Sequence, residues 1–341
     1  MHRIKIFIFS SLATFLMVSC HTLEEWDNTV AGNFDALWTV VDEHYCFFEQ
    51  KGIDWDSIGA VYRPKAMECR TAGQLFDVCA EMLNTLEDGH VNLSSTFDVS
   101  YYRKWWSDYP QDYDQRLVEE HYLHFDWKTA GGLRYAILTP DSIGYVRYSS
   151  VSSPVGQSNL DAVLSYLDRC PALIFDVRNN GGGNISYVED IVARFIDRRI
   201  LAGYINHKTG PGHNDFSEPY AYYYSPADGR IRWNKPVAVL TNRSTFSAAN
   251  NFVSVMKHLP GVTIIGARTG GGSGMPLTMD LPVGWTVRMS ACSVLDSDGV
   301  STENGVDPSP GHEVGLNPEL VSQGRDSMID HAVKFLLETK Q

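Results

Sequence analysis

Ser247 lies in the segment Thr245-Phe246-Ser247-Ala248-Ala249, between a β-like run over residues 236–241 and a helix-like run over 246–258. A buried strand that feeds a serine at a helix tip is where an α/β enzyme would put a nucleophile. The first N–H groups of a helix have no intrahelical partner and the dipole there is positive, so an attacking alkoxide is stabilised. The plain alternative is a serine that caps the helix and does nothing else. Position alone favours the cap, so the companions of Ser247 must decide.

The first companion is Asp176-Val177-Arg178-Asn179-Asn180-Gly181-Gly182-Gly183. Glycines directly after a strand and before a helix let backbone approach a ligand, and free N–H groups there can hold an oxyanion or a phosphate. The run is not the GxGxxG of a dinucleotide site, and no Lys-Ser/Thr follows to make a P-loop. An oxyanion hole is the functional reading and a tight strand–helix turn the plain one. The second companion is His90, in Leu86-Glu87-Asp88-Gly89-His90. A lone histidine is usually structural, but histidine is the side chain best suited to shuttle a proton near neutrality. His121 and His124 have metal-compatible spacing but no companion cluster, so no metal site is assigned.

These residues need elements to position them. Phe34, Leu37, Trp38, Val41 and Tyr45 recur at helical spacing, as do Leu75, Cys79, Met82, Leu83 and Leu86 behind a capping box at Thr71–Gln74. This predicts a helical layer that breaks at Gly89 and turns extended over residues 91–93. Residues 100–127 are rich in Tyr and Trp without a clear period. From Arg134 onward, a hairpin flanks Pro140-Asp141-Ser142, and short apolar runs over 173–177, 236–240 and 262–265 alternate with helical patterns. That alternation predicts a βαβ sheet, hence an α/β (α+β) fold. An antiparallel pair over 279–281 and 285–289 and a helix through Ile329, Ala332, Val333 and Leu336 complete it.

The glycine run, the serine segment and the strand ending Gly266-Ala267-Arg268-Thr269-Gly270-Gly271 together resemble the S41 peptidase family of C-terminal processing and tricorn-type proteases. The resemblance spans roughly residues 30 to 320 and implies a ClpP/crotonase-like core. The processing branch uses a Ser–Lys dyad, but Gly272 stands where its lysine would be, and no lysine occurs between Lys257 and Lys334. The tricorn-type branch uses histidine and glutamate. His90 matches its histidine segment, and Glu303, in Thr302-Glu303-Asn304-Gly305-Val306-Asp307-Pro308, matches its glutamate segment. Gly89 departs from the serine that precedes the histidine in that branch, so the path from Glu303 to His90 is direct, through water, or through another hydroxyl.

The resemblance thus implies a serine endopeptidase. Ser247 would be nucleophile, His90 base and Glu303 its orienting carboxylate, with Ala248 and Gly181 or Gly182 donating to the oxyanion. Thr269, Gly270, Gly271 and Gly272 would flank an extended polypeptide. A histidine base predicts kcat/KM falling below roughly pH 6.5. The rival reading is a non-catalytic peptide- or lipophile-binding lipoprotein on the same scaffold, and a sugar platform built from the residue 101–127 aromatics is a remoter one. The interval 94–133 is too short for the PDZ domain that many relatives carry.

The N-terminus reads as a lipoprotein signal peptide over residues 1–19, with Arg3 and Lys5 before the apolar run 6–18. Leu16-Met17-Val18-Ser19-Cys20 resembles a bacterial lipobox, which marks Cys20 for lipidation and the cell envelope as the location. A tether over 20–29, a helical subdomain over 30–93, a connection over 94–133 and an α/β core over 134–341 follow. The 341 residues, 43% hydrophobic, suffice for a large core. A net charge of −13 disfavours nucleic acid and anionic membrane surfaces as partners, leaving a polypeptide substrate and membrane contact only through the anchor. No cofactor motif occurs. Cys46, Cys69, Cys79, Cys170 and Cys292 fit free thiols better than a disulfide framework.

Overall fold

The computed structural model describes residues 26–140 and 142–338. The signal segment and Cys20 lie outside the described residues. Four helices come first: α1 (Val30–His44), α2 (Phe48–Lys51), α3 (Trp55–Met67) and α4 (Ala72–Asn84). Thr29, Asp54 and Thr71 start α1, α3 and α4 by accepting the N–H of Gly32, Ser57 and Gln74. Gln74 Oε1 accepts the Arg70 N–H, one residue beyond the Thr71 N–H that a capping box would use. Phe34, Leu37 and Val41 of α1 bury in one cluster with Leu75, Cys79, Met82 and Leu83 of α4.

After β1 (Asn92–Ser94), the aromatic-rich stretch holds α5 (Lys104–Ser107) and α6 (Gln115–His121). The main sheet then assembles from β2 (Lys128–Ala130), β3 (Leu133–Leu138) and β4 (Ile143–Tyr148), followed by α7 (Gln157–Leu167), β5 (Leu173–Asp176) and α8 (Ser186–Val192). Strands β6 (Ile200–His207) and β7 (Tyr220–Tyr224) leave it, and β8 (Val237–Thr241), α9 (Ala248–Lys257) and β9 (Val262–Gly266) complete it. Its order is β2-β3-β4-β5-β8-β9, with β4, β5, β8 and β9 parallel. One apolar cluster joins one face to α7, α8 and α9, and another lies on the opposite face. Covered on both faces, β5 and β8 are buried at every position, which is why they read as unbroken apolar runs.

The chain continues through β10 (Gly274–Asp280), β11 (Thr286–Leu295), α10 (Pro318–Val321) and α11 (Ser327–Glu338). Strands β10 and β11 form the expected antiparallel pair, but they belong to a second sheet of order β1-β11-β6-β7, with β10 on the other side of β11. Leu281, Trp285, Val287 and Met289 enter the same cluster as α1 and α4. The helical layer and the second sheet are therefore one packed unit, and the loop between α4 and β1, which carries His90, projects from it. All five described cysteines are free thiols. Among the described residues no helix is long and apolar enough to cross a membrane.

Candidate active site

Ser247 is held on a sharp turn between β8 and α9. Its backbone adopts φ 58° and ψ −124°, a region that costs a non-glycine residue about 1–3 kcal/mol. The turn is fastened on both sides. The Phe246 N–H donates to Asn180 O at 2.9 Å and the Ser247 N–H to Gly271 O at 2.8 Å. Thr245 Oγ1 donates to Val177 O, and Asn242 exchanges hydrogen bonds with Asn179. The serine side chain makes no capping bond. Its Oγ lies 2.9 Å from His90 Nε2 instead. This answers the question that sequence position left open, because the hydroxyl faces an imidazole and not a helix donor.

The glycine run lies against this turn. A Cβ added to Gly182 would stand 2.7 Å from Ser247 Cβ and 2.8 Å from Ala248 N, so only glycine admits so close a crossing. The Gly182 N–H is already given to Asn180 Oδ1 at 3.0 Å. The Gly181 and Ala248 N–H groups have no hydrogen-bond partner among the described residues. The start of the run is structural. Asp176 and Arg178 are fully buried, and Arg178 bridges Asp176 at 2.7 Å and Asp326 at 2.8 Å. Burial pushes the Asp176 carboxyl up, but Arg178 and Arg147 outweigh it and hold the group below the usual range. Asp326 then caps α11 through the N–H groups of Met328 and Ile329.

Thr269 to Gly272 are fastened by hydrogen bonds. Thr269 Oγ1 donates to Asn250 Oδ1 at 2.6 Å and accepts the Val306 N–H, while Gly270 and Gly272 donate to Thr245 O and Glu303 O. Of these four only Gly272 lines the cavity of about 250 Å³ beside Ser247. Its other walls come from Ile185, Asn250, Asn251, Met275 and Val294, and no ionisable side chain lines it.

His90 is 3% exposed, and burial lowers its pKa to about 4, against a smaller upward pull from Asp88. The imidazole is thus neutral and able to accept a proton, and its own protonation falls well below the pH 6.5 expected from an unperturbed histidine. Its Nδ1 is buried with no hydrogen-bond partner among the described residues. Glu303 does not bond it. The Glu303 carboxyl accepts the Ser273 N–H at 2.8 Å and pairs with Lys51 Nζ at 3.3 Å. Burial, with Asp88 nearby, raises its pKa to about 8 although Lys51 opposes the shift.

The departure from the tricorn-type branch at Gly89 and the one from the processing branch at Gly272 both lie against the ring of Phe246. A Cβ on Gly89 would stand 2.6 Å from Trp105 Nε1 and 2.9 Å from Phe246 Cζ. A Cβ on Gly272, at φ +74°, would stand 2.3 Å from the same ring. Phe246 stacks on Trp105 with centroids 4.1 Å apart and lies 4.8 Å from the His90 ring. Sequence reasoning gave Phe246, Lys51 and Asp88 no role and counted Trp105 only among the aromatics of a remote sugar platform. Only Asp88, two residues before the histidine, stood where a local signal could have found it.

A strained serine on a strand-to-helix turn, in contact with a buried neutral histidine, defines an α/β protein of the serine-peptidase type. A family model described as peptidase family S41 matches residues 142–309, and one described as the tricorn protease C1 domain matches residues 27–84. A crystal structure of a protein from Parabacteroides merdae, assigned provisionally as a peptidase, superposes with TM-score 0.86 at 47% identity, covering 91% of this chain and 98% of that one. The chloroplastic C-terminal processing peptidase of Tetradesmus obliquus is 27% identical over 198 residues, 57% of this chain and 40% of the relative. A protein of Streptomyces coelicolor named as a tricorn protease homologue is 29% identical over 227 residues, 65% of this chain and 18% of the relative. The chain belongs to peptidase family S41. It spans less than half the length of these two curated relatives.

Proposed function

We propose that the protein is a serine endopeptidase acting on extended polypeptides. The observation that carries this is the 2.9 Å contact between Ser247 Oγ and His90 Nε2, which a peptide- or lipophile-binding role would not require. The Ser247 Oγ–H proton passes to His90 Nε2 as Oγ bonds the scissile carbonyl carbon. The oxyanion is held by the Ala248 and Gly181 N–H groups, while Gly182 N–H stays with Asn180. The imidazolium gives its proton to the amine as the C–N bond breaks, and a water then hydrolyses the acyl-enzyme by the same route. Glu303 stands in this reading as the buried carboxyl group at the base.

The substrate side chain next to the scissile bond enters the cavity beside Ser247 and is uncharged, since nothing there would pair a charge. Among the described residues strand β10 pairs only with β11, and its residues from Met275 onward are largely exposed, so an extended chain can align along its free edge, with Pro276 supplying no donor. The lipid anchor at Cys20 would hold the enzyme at the bacterial cell envelope, and mass spectrometry of the membrane-fraction N-terminus tests that placement.

Ser247→Ala, in protein still folded by circular dichroism, is expected to lower turnover of a peptide library by about 10⁴-fold or more. Full activity in that variant would refute the nucleophile. A serine-directed phosphonate should form one covalent adduct on Ser247. Peptide binding without an adduct or turnover would instead favour the binding protein.

A further inference from the structure

We infer that Asp88 is the positioning residue of the base: it fixes the turn that carries His90 and supplies the negative charge facing the imidazolium, a role the resemblance assigns to Glu303. The inference rests on the peptidase reading. It is carried by a convergence of three donors on one carboxylate. Asp88 is 1% exposed, and its Oδ1 accepts the His90 backbone N–H at 2.7 Å. Its Oδ2 accepts Ser290 Oγ–H at 2.8 Å and Tyr45 Oη–H at 3.1 Å. Those donors come from β11 and from the C-terminal end of α1, so the carboxylate ties the helical layer and the second sheet to the histidine turn. All three partners are donors, so both oxygens of the Asp88 side chain act as acceptors.

The charged and titratable groups around it fit this assignment. Tyr45 and Cys46 follow α1, Arg288 comes from β11, Lys51 ends α2, and Glu303 follows β11; His90 itself completes the set. Asp88 pulls the His90 pKa up, while Arg288 and Lys51 pull it down. Glu303 makes no hydrogen bond to His90, and its own proton is retained to about pH 8. Near neutrality Glu303 is therefore protonated, and the hydrogen-bond geometry leaves Asp88 as the carboxyl group built into the histidine turn.

Asp88→Asn is the decisive variant. Asn keeps the shape, its amide oxygen can still accept the His90 N–H, and the two hydroxyls can turn to accept from its NH₂ group. Only the charge is lost. We expect kcat to fall between about tenfold and a thousandfold with KM within about twofold, the acid limb of kcat/KM to move to lower pH, and the Ser247 phosphonate reaction to slow in parallel. Glu303→Gln should cost less than Asp88→Asn. An unmoved limb with a uniform drop in rate would make Asp88 a scaffold residue and overturn the inference. If Asp88→Asn does not fold, a folded Glu303→Gln that is essentially inactive overturns it equally. Wild-type protein that takes no phosphonate on Ser247 would instead sink the peptidase reading. Wild-type that reacts while Asp88→Asn reacts identically at every pH sinks only the role of Asp88.

Discussion

The two halves of the site are built on different principles. The nucleophile half is saturated with hydrogen bonds: the serine turn, the glycine run and α11 are tied through Asn180, Thr245 and the Asp176–Arg178–Asp326 bridge. That saturation can hold Ser247 in strained backbone geometry. The base half is thinly bonded around its reacting ring. His90 Nδ1 has no partner among the described residues, and of the two carboxyl groups near it Glu303 is opposed by Lys51 and Asp88 faces Arg288. One half stores conformational strain against a rigid frame, and the other stores electrostatic tension against a docked layer.

If that contrast holds, damage to the nucleophile half should appear as global instability. Arg178→Ala strands two fully buried carboxylates and should cost about 3–5 kcal/mol, seen as a large fall in the midpoint of denaturant unfolding. A loss below about 1 kcal/mol would mean that the frame does not depend on this bridge.

The next effect lies where the halves meet. Restoring the serine that precedes the histidine in tricorn-type relatives, Gly89→Ser, forces a Cβ into Trp105 and Phe246. Overpacking of this kind costs about 1–3 kcal/mol. Turnover should fall as well, because the imidazole shifts relative to Ser247. Gly89→Ser combined with Phe246→Ala should recover part of the stability, while Gly89→Ser with no loss in either assay would show that the aromatic pair yields freely.

The same contrast explains what the sequence could and could not reveal. Ser247 and the glycine run are legible because their determinants are local: a buried strand, a turn that needs small residues, a helix. His90 and Glu303 were found only through the order of their matching segments. Asp88 stands two residues before the histidine, so its bond to the His90 N–H is a local feature, but its donors Tyr45 and Ser290 lie 43 and 202 positions away and no local pattern shows them. Phe246 was read as helix and is instead the ring that closes off the lysine and serine positions. Strands β6 and β7 escaped notice because their half-exposed positions show no alternation, and a bulge interrupts their pairing near Gly203.

The smallest expected effect is a tilt in stability with pH, and it isolates the electrostatic tension of the base half. Glu303 keeps its proton to about pH 8 when folded, against an ordinary value of 4.5. Its contribution is therefore full below pH 4.5 and is lost as pH rises through about 8. His90, lowered to about 4 from 6.5, runs the opposite way: its contribution is full above pH 6.5 and is lost as pH falls through about 4. The two slopes oppose each other between pH 4.5 and 6.5, and above 6.5 only the Glu303 loss remains. Glu303→Gln removes that loss and leaves the His90 slope intact. Melting temperatures of the variant and the wild type should therefore converge, or cross in favour of the variant, between pH 6.5 and pH 8. A difference that stays constant across that window would mean that Glu303 is already ionised at neutrality, and Glu303 would then share the charge assigned to Asp88.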